Sequence, residues 1–267
     1  MISSKVKDVT PFMVMDILAR AQALEKEGKD VIHLEVGEPD FETPDAVKQA
    51  AIRGIEQGRT RYTHAMGLVE LREAIASKYN KDYGVDISID QILVTSGTSP
   101  GMLLMMMTTM EEGDEVVLSN PHYSCYPNFI EAVGGKVVYV NTFPEDGFIY
   151  RIDNIKKAIS KKTRAILINS PSNPTGIVMD KKFLHELSQF KDLLIFSDEI
   201  YHGLVYEGKE HSILEFTDHA FVLNGFSKLY AMTGMRLGYL IAPKPFIRPI
   251  QKIQQNFFIS PNAMVQK

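Results

Sequence analysis

The chain has 267 residues, 45% hydrophobic and 23% charged, enough for a large core in one big domain or one domain plus part of a second. A formal net charge of −4 and the lack of any long Lys/Arg run argue against nucleic acid or an anionic membrane as the main partner. Cys125 is the single cysteine, which excludes an internal disulfide, and no apolar stretch reaches the ~18 residues of a membrane span. The first twenty residues alternate charged and apolar side chains without the apolar core of a signal peptide, so a soluble, cytoplasmic protein is expected.

In chain order, an arm leads into a helix over Val14–Glu27, followed by a strand over Val31–Val36. Leu68–Tyr83 places Leu68, Leu71, Ile75 and Tyr79 on one helical face. The Ile92–Thr95 run predicts a strand, and Pro100–Met110 is a helix apolar nearly all round. Its Met102, Met105, Met106, Met107 and Met110 are expected to fill core. Strands over Glu115–Ser119 and Lys136–Val140 precede a helix over Asp153–Ser160. A strand over Ala165–Asn169 and a helix over Lys181–Phe190 come next. Three further strands, Leu193–Ser197, Phe221–Asn224 and Leu237–Ile241, end at a helix over Pro245–Phe258. Several of these strands are almost continuous Val, Ile and Leu, the pattern of strands buried on both faces. The alternation predicts an α/β fold, a mostly parallel sheet sandwiched by helices.

Ligands of open α/β sheets bind beyond the carboxyl ends of strands, and the unusual residues gather there. Ser96-Gly97-Thr98-Ser99 follows one strand, and Ser170-Pro171-Ser172-Asn173-Pro174 another. Asp198-Glu199 and Gly225-Phe226-Ser227-Lys228 follow two more. Gly97, Thr98 and Ser99 open the apolar helix, where free N–H groups and hydroxyls either cradle an anion or simply cap the helix. Lys228 at a buried strand end is desolvated, which frees an amine for Schiff-base chemistry. Arg236 could fork onto a phosphate, or cap the next strand. Asp198 follows the run Leu193-Leu194-Ile195-Phe196-Ser197. It either makes a core ion pair or hydrogen bond, or faces a ligand cation such as the protonated ring nitrogen of a pyridine-based cofactor. His64, His122 and His202 have no ligand-like spacing and are read as loop or rim residues. Cys125 is read as a small buried hydrophobe.

Four segments now carry a resemblance. They are Gly37-Glu38-Pro39-Asp40-Phe41-x-Thr43-Pro44, Ser170-x-Ser172-Asn173-Pro174-Thr175-Gly176, Ser197-Asp198-Glu199-Ile200-Tyr201 and the run from Gly225-Phe226-Ser227-Lys228 to Arg236-x-Gly238-Tyr239. In this order they resemble the class I/II aminotransferases, pyridoxal 5′-phosphate (PLP) enzymes of fold type I. The resemblance implies a seven-stranded-type PLP-binding large domain over residues 44–244. Residues 1–43 would be an arm and helix of a small domain, and 245–267 the start of a connecting helix.

It also implies roles. Lys228 would form the Schiff base and then shuttle the substrate proton, and Asp198 would pair with the pyridine nitrogen. Tyr201 and Asn173 would bond the cofactor's phenolic oxygen, and Tyr123 would stack on its ring. Gly97, Thr98, Ser99, Ser227 and Arg236 would hold its phosphate, and Tyr62 would reach the phosphate of a neighbouring subunit, implying a homodimer. Gly37 and Asn173 would border the substrate. Amino transfer between an amino acid and a 2-oxo acid is the activity implied. A β-lyase on the same site and a non-catalytic PLP-binding fragment are the alternatives.

Family members run longer, so most of the C-terminal small domain is expected to be missing, with the arginine that grips the substrate carboxylate. Weak cofactor binding and impaired turnover would follow. Ile250, Ile253 and Phe257 of the Pro245–Phe258 helix are expected to lie partly exposed.

Overall fold

The computed structural model describes residues 9–267. Helix α1 (Met13–Lys26), α2 (Asp45–Glu56) and α3 (Val69–Tyr83) precede strand β1 (Ile92–Thr95). Helix α4 (Thr98–Thr109), strand β2 (Glu115–Asn120), α5 (Tyr126–Ala132) and β3 (Lys136–Asn141) follow. Next come α6 (Ile152–Ala158), β4 (Thr163–Asn169), α7 (Lys181–Leu187) and β5 (Leu194–Asp198). The chain closes through β6 (Ala220–Gly225), β7 (Gly238–Ile241) and α8 (Lys244–Phe257). The strands form one sheet in the order β1-β7-β6-β5-β4-β2-β3. Strand β7 is antiparallel to both its neighbours, and the remaining strands run parallel to one another.

Both sheet faces are covered, which is why the strands read as continuous apolar runs. On one face Leu93, Leu118, Leu167, Phe196 and Phe221 pack under α4, α5 and α8. On the other, Val117, Ile166, Ile195 and Val222 meet Ile75 and Tyr79 of α3 and Ile155 of α6. Helix α4 buries Gly101, Met102, Leu104, Met105, Met106 and Thr109, and of its methionines only Met107 reaches solvent.

Three expectations need correction. Residues 31–36 form no strand. Ile32 and Leu34 are 84% and 90% exposed, while His33 between them bonds Glu25 (3.0 Å) and Glu35 (2.7 Å). The apolar/polar alternation imitates a strand, but no sheet edge is there to pair with it. Helices α2 and α5 are additional. Both carry only weak start signals, Asp45 in the first turn of α2 and Pro127 in the first turn of α5, which is only 7 residues long. Ile250 is fully buried against α4 rather than partly exposed, whereas Ile253 is half-buried against the same core and Phe257 is exposed, as expected. Ile250→Ala is therefore expected to cost about 2–5 kcal/mol of unfolding free energy, the usual cost of a core cavity. A denaturant titration checks this.

Among the described residues, no helix is long and apolar enough to cross a membrane.

Candidate active site

The carboxyl ends of β1, β4, β5 and β6 converge on one cavity of about 820 Å³. Gly37, Thr98, Ser99, Tyr123, Asn173, Asp198, Tyr201, Ser227, Lys228 and Arg236 all line it. Sequence reasoning thus brought together residues up to about two hundred positions apart. Gly97 stands beside the cavity, against Arg236. Tyr62 is not part of it and is 79% exposed.

The cationic end is built from glycines. Gly97 caps α4 with φ +93°, a conformation that side chains resist. A Cβ there would lie 2.5 Å from Arg236 Nη2, so the missing side chain is what admits the guanidinium. Gly238 opens β7 in the same way, since a Cβ on it would lie 2.9 Å from the Thr98 nitrogen. Arg236 itself is left-handed (φ 53°), and its Nη1 donates to the Thr233 carbonyl at 3.1 Å. Free N–H groups of the first α4 turn, two hydroxyls and an arginine therefore face one space, as an anion requires.

Asp198 forms the opposite pole. It is buried at the end of β5, and its Oδ2 accepts from the Tyr126 hydroxyl (2.9 Å) and its Oδ1 from the Ile200 N–H (3.2 Å). Burial pushes its pKa up to about 6, against the pull of those two donors. Among the described residues no basic side chain pairs with it. Beside it Asn173 Nδ2 donates to the Tyr201 hydroxyl at 3.1 Å, and Asn169 orients the turn. Asn169 Oδ1 accepts the Asn173 N–H (2.7 Å), and its Nδ2 donates to the Asp198 carbonyl (2.9 Å). Tyr123 stands edge-on between Phe12 and Tyr126.

Lys228 Nζ donates to the Gly37 carbonyl at 2.5 Å. Burial holds its pKa below the usual lysine value; Glu38 opposes this and Arg236 adds to it. Glu38 also accepts from the Thr233 hydroxyl.

Tyr126, Asn169, Glu38 and Thr233 were missed in the sequence. Asn169, at the end of an apolar strand, and Glu38 and Thr233, inside the segments quoted above, carry a signal there; Tyr126 carries none. His202 lies in the turn after β5, as the loop reading has it, but it is buried, with Nδ1 2.7 Å from the Tyr83 hydroxyl. Cys125 is half-buried, preceding α5, instead of enclosed.

The model of the family "Aminotransferase class I and II" matches residues 29–266. The (5-formylfuran-3-yl)methyl phosphate transaminase of Methanocaldococcus jannaschii is 45% identical over 100% of this chain and 70% of its own length. The aspartate/prephenate aminotransferase of Thermus thermophilus is 36% identical over 99% of this chain and 70% of its own length. The solved Thermus thermophilus aspartate aminotransferase with maleate superposes with a TM-score of 0.96, at 36% identity, covering 100% of this chain and 71% of that one. The chain belongs to the class I and II aminotransferases, enzymes that use pyridoxal 5′-phosphate.

Proposed function

We propose that PLP lies across this cavity between the Gly97–Arg236 pole and Asp198, with Lys228 at its carbonyl carbon. The observation that carries this reading is Asp198: a buried carboxylate without a basic partner, in one cavity with a lysine of lowered basicity and an anion cradle. A ligand with a phosphate at one end and a protonatable ring nitrogen at the other answers both poles. The residues present therefore fit the cofactor the family uses.

When bound, PLP supplies an electron sink for the bond being broken at the substrate Cα. The rest falls to the chain. Gly97, Thr98, Ser99, Ser227 and Arg236 hold the phosphate, and Asp198 keeps the ring nitrogen charged. Asn173 and Tyr201, already bonded to each other, orient the phenolic oxygen, and Tyr123 covers a ring face. Lys228 tethers the cofactor, then takes and returns the Cα proton, a task suited to an amine whose pKa is lowered by burial. Gly37 borders the bound amino acid or 2-oxo acid. In this reading residues 44–244 are the cofactor domain, with 9–43 and 245–267 belonging to its small-domain side, and the first eight residues lie outside the described ones.

Incubation with PLP, reduction with borohydride and peptide mapping tests the assignment. Label confined to Lys228 is expected; label spread over surface lysines would overturn it. Gly97→Ala should weaken PLP binding by about tenfold or more, because left-handed strain of about 1–3 kcal/mol adds to displacement of Arg236. An absorbance titration reads this directly.

A homodimer in a cytoplasmic setting completes the proposal. Exposed Tyr62 fits a residue that reaches a neighbouring site, and Met13, Ile17, Ile52 and Ile55 offer apolar surface for a subunit contact.

A further inference from the structure

Directly after Asp198, on the opposite face of the sheet, lies a second buried carboxylate. Glu199 is 1% exposed, yet both its oxygens are occupied. Oε1 accepts from the hydroxyls of Ser197 (3.2 Å) and Ser212 (3.0 Å) and from the Ile213 N–H (3.1 Å). Oε2 accepts from the Tyr79 hydroxyl (3.3 Å), with His202 Nδ1 at 3.6 Å. The Tyr79 oxygen in turn accepts from Asn224 Nδ2 at 3.5 Å, and Asn224 Oδ1 accepts the Gly225 N–H at 2.7 Å. The Glu199 N–H also donates to the Leu223 carbonyl of β6 at 2.8 Å.

This chain of bonds has definite ends. It starts one residue after Asp198 and finishes on Asn224 and Gly225, at the foot of the loop that carries Lys228. Helix α3, through Tyr79, supplies the bridge on the sheet face away from the cofactor, and its Tyr83 holds His202 beside it. Such a network is a costly way to achieve stability alone, since a buried charge is desolvated by several kcal/mol before its bonds repay any of it. Its effect on the neighbouring site is electrostatic as well as geometric: the Glu199 charge adds to the burial that raises Asp198.

We infer that Glu199 is a positioning residue, whose bonds through Tyr79 and Asn224 fasten the strand end bearing Asp198 to the strand end bearing Lys228. The inference rests on the assignment of Asp198 and Lys228 above. The groups facing Glu199 are Tyr79 and Tyr83 from α3, His202, Tyr239 from β7 and Asp198 itself, so few charges besides its own act there.

Two variants of the full chain test it, Glu199→Gln and Tyr79→Phe, each reconstituted with PLP. Uncoupling one buried hydrogen bond is expected to weaken PLP binding about 5–10-fold. The pH midpoint of the bound cofactor's absorbance should move as well. In Glu199→Gln it should fall by about half a unit, because loss of a nearby negative charge makes every proton at the site easier to remove. Wild-type affinity and midpoint in both variants, with only thermal stability reduced, would overturn the inference and leave Glu199 a core residue. If Glu199→Gln does not fold, Tyr79→Phe decides by the same two readouts. The underlying assignment is judged separately, on wild-type protein, by whether borohydride labels Lys228.

Discussion

Replacing Lys228 with alanine should abolish the borohydride-stable PLP adduct while leaving the cofactor pocket formed. Lys228 leaves β6 with its amine against the Gly37 carbonyl, and burial favours the neutral form that can attack a carbonyl carbon. Asp198, the Gly97–Thr98–Ser99 turn and Arg236 do not depend on that side chain, so PLP should still bind noncovalently in the variant. Amino transfer should fall by at least about 10²–10⁴-fold, the span an acid–base residue supplies. Mass spectrometry of the reduced protein reads the first result and an amino acid/2-oxo acid exchange assay the second. An adduct at full yield in Lys228→Ala would mean that another lysine holds the cofactor.

That so much of this site is legible in the sequence has a physical basis. A strand buried on both faces must be apolar along its length, so a polar residue at its end, such as Asn169 or Asp198, stands out against its surroundings. Glycines forced by close approach are equally visible, Gly97 because Arg236 occupies the place of its side chain. What stays hidden is whatever depends on contacts between distant segments. Tyr126 looks like any core tyrosine until its hydroxyl is found on Asp198. His202 and Tyr83 are 119 positions apart and meet only because α3 packs across the sheet. Residues 31–36 mislead for the complementary reason: alternation records which side chains could share a face, but not whether a strand edge exists beside them. Ile250 of α8 is a similar case, its burial decided by the surface α4 presents to it.

Asp198 also makes a claim about stability that can be tested without any turnover. Its carboxyl has an ordinary value of 3.8 and is raised to about 6 in the folded protein by burial. Below pH 3.8 both folded and unfolded chains hold the proton, and the group is neutral toward folding. Between 3.8 and 6 the unfolded chain releases the proton while the folded one keeps it, so stability falls as pH rises. Above 6 the loss is complete, and a difference of about two pH units corresponds to about 3 kcal/mol. Asp198→Asn removes this cost and keeps an oxygen for the Ile200 N–H, while its amide nitrogen donates to the Tyr126 hydroxyl oxygen, reversing that bond. The variant apoprotein should therefore be more stable than wild type by up to about 3 kcal/mol at pH 7.5, and nearly equal to it at pH 4. Saturating PLP should invert the order at pH 7.5, because only the carboxylate can pair with a protonated ring nitrogen. Denaturant titrations at the two pH values, with and without PLP, give all the comparisons needed. A wild-type apoprotein as stable as the variant at pH 7.5 would show that Asp198 already has its counter-charge within the chain, and the pocket would then have no electrostatic reason to take a pyridinium.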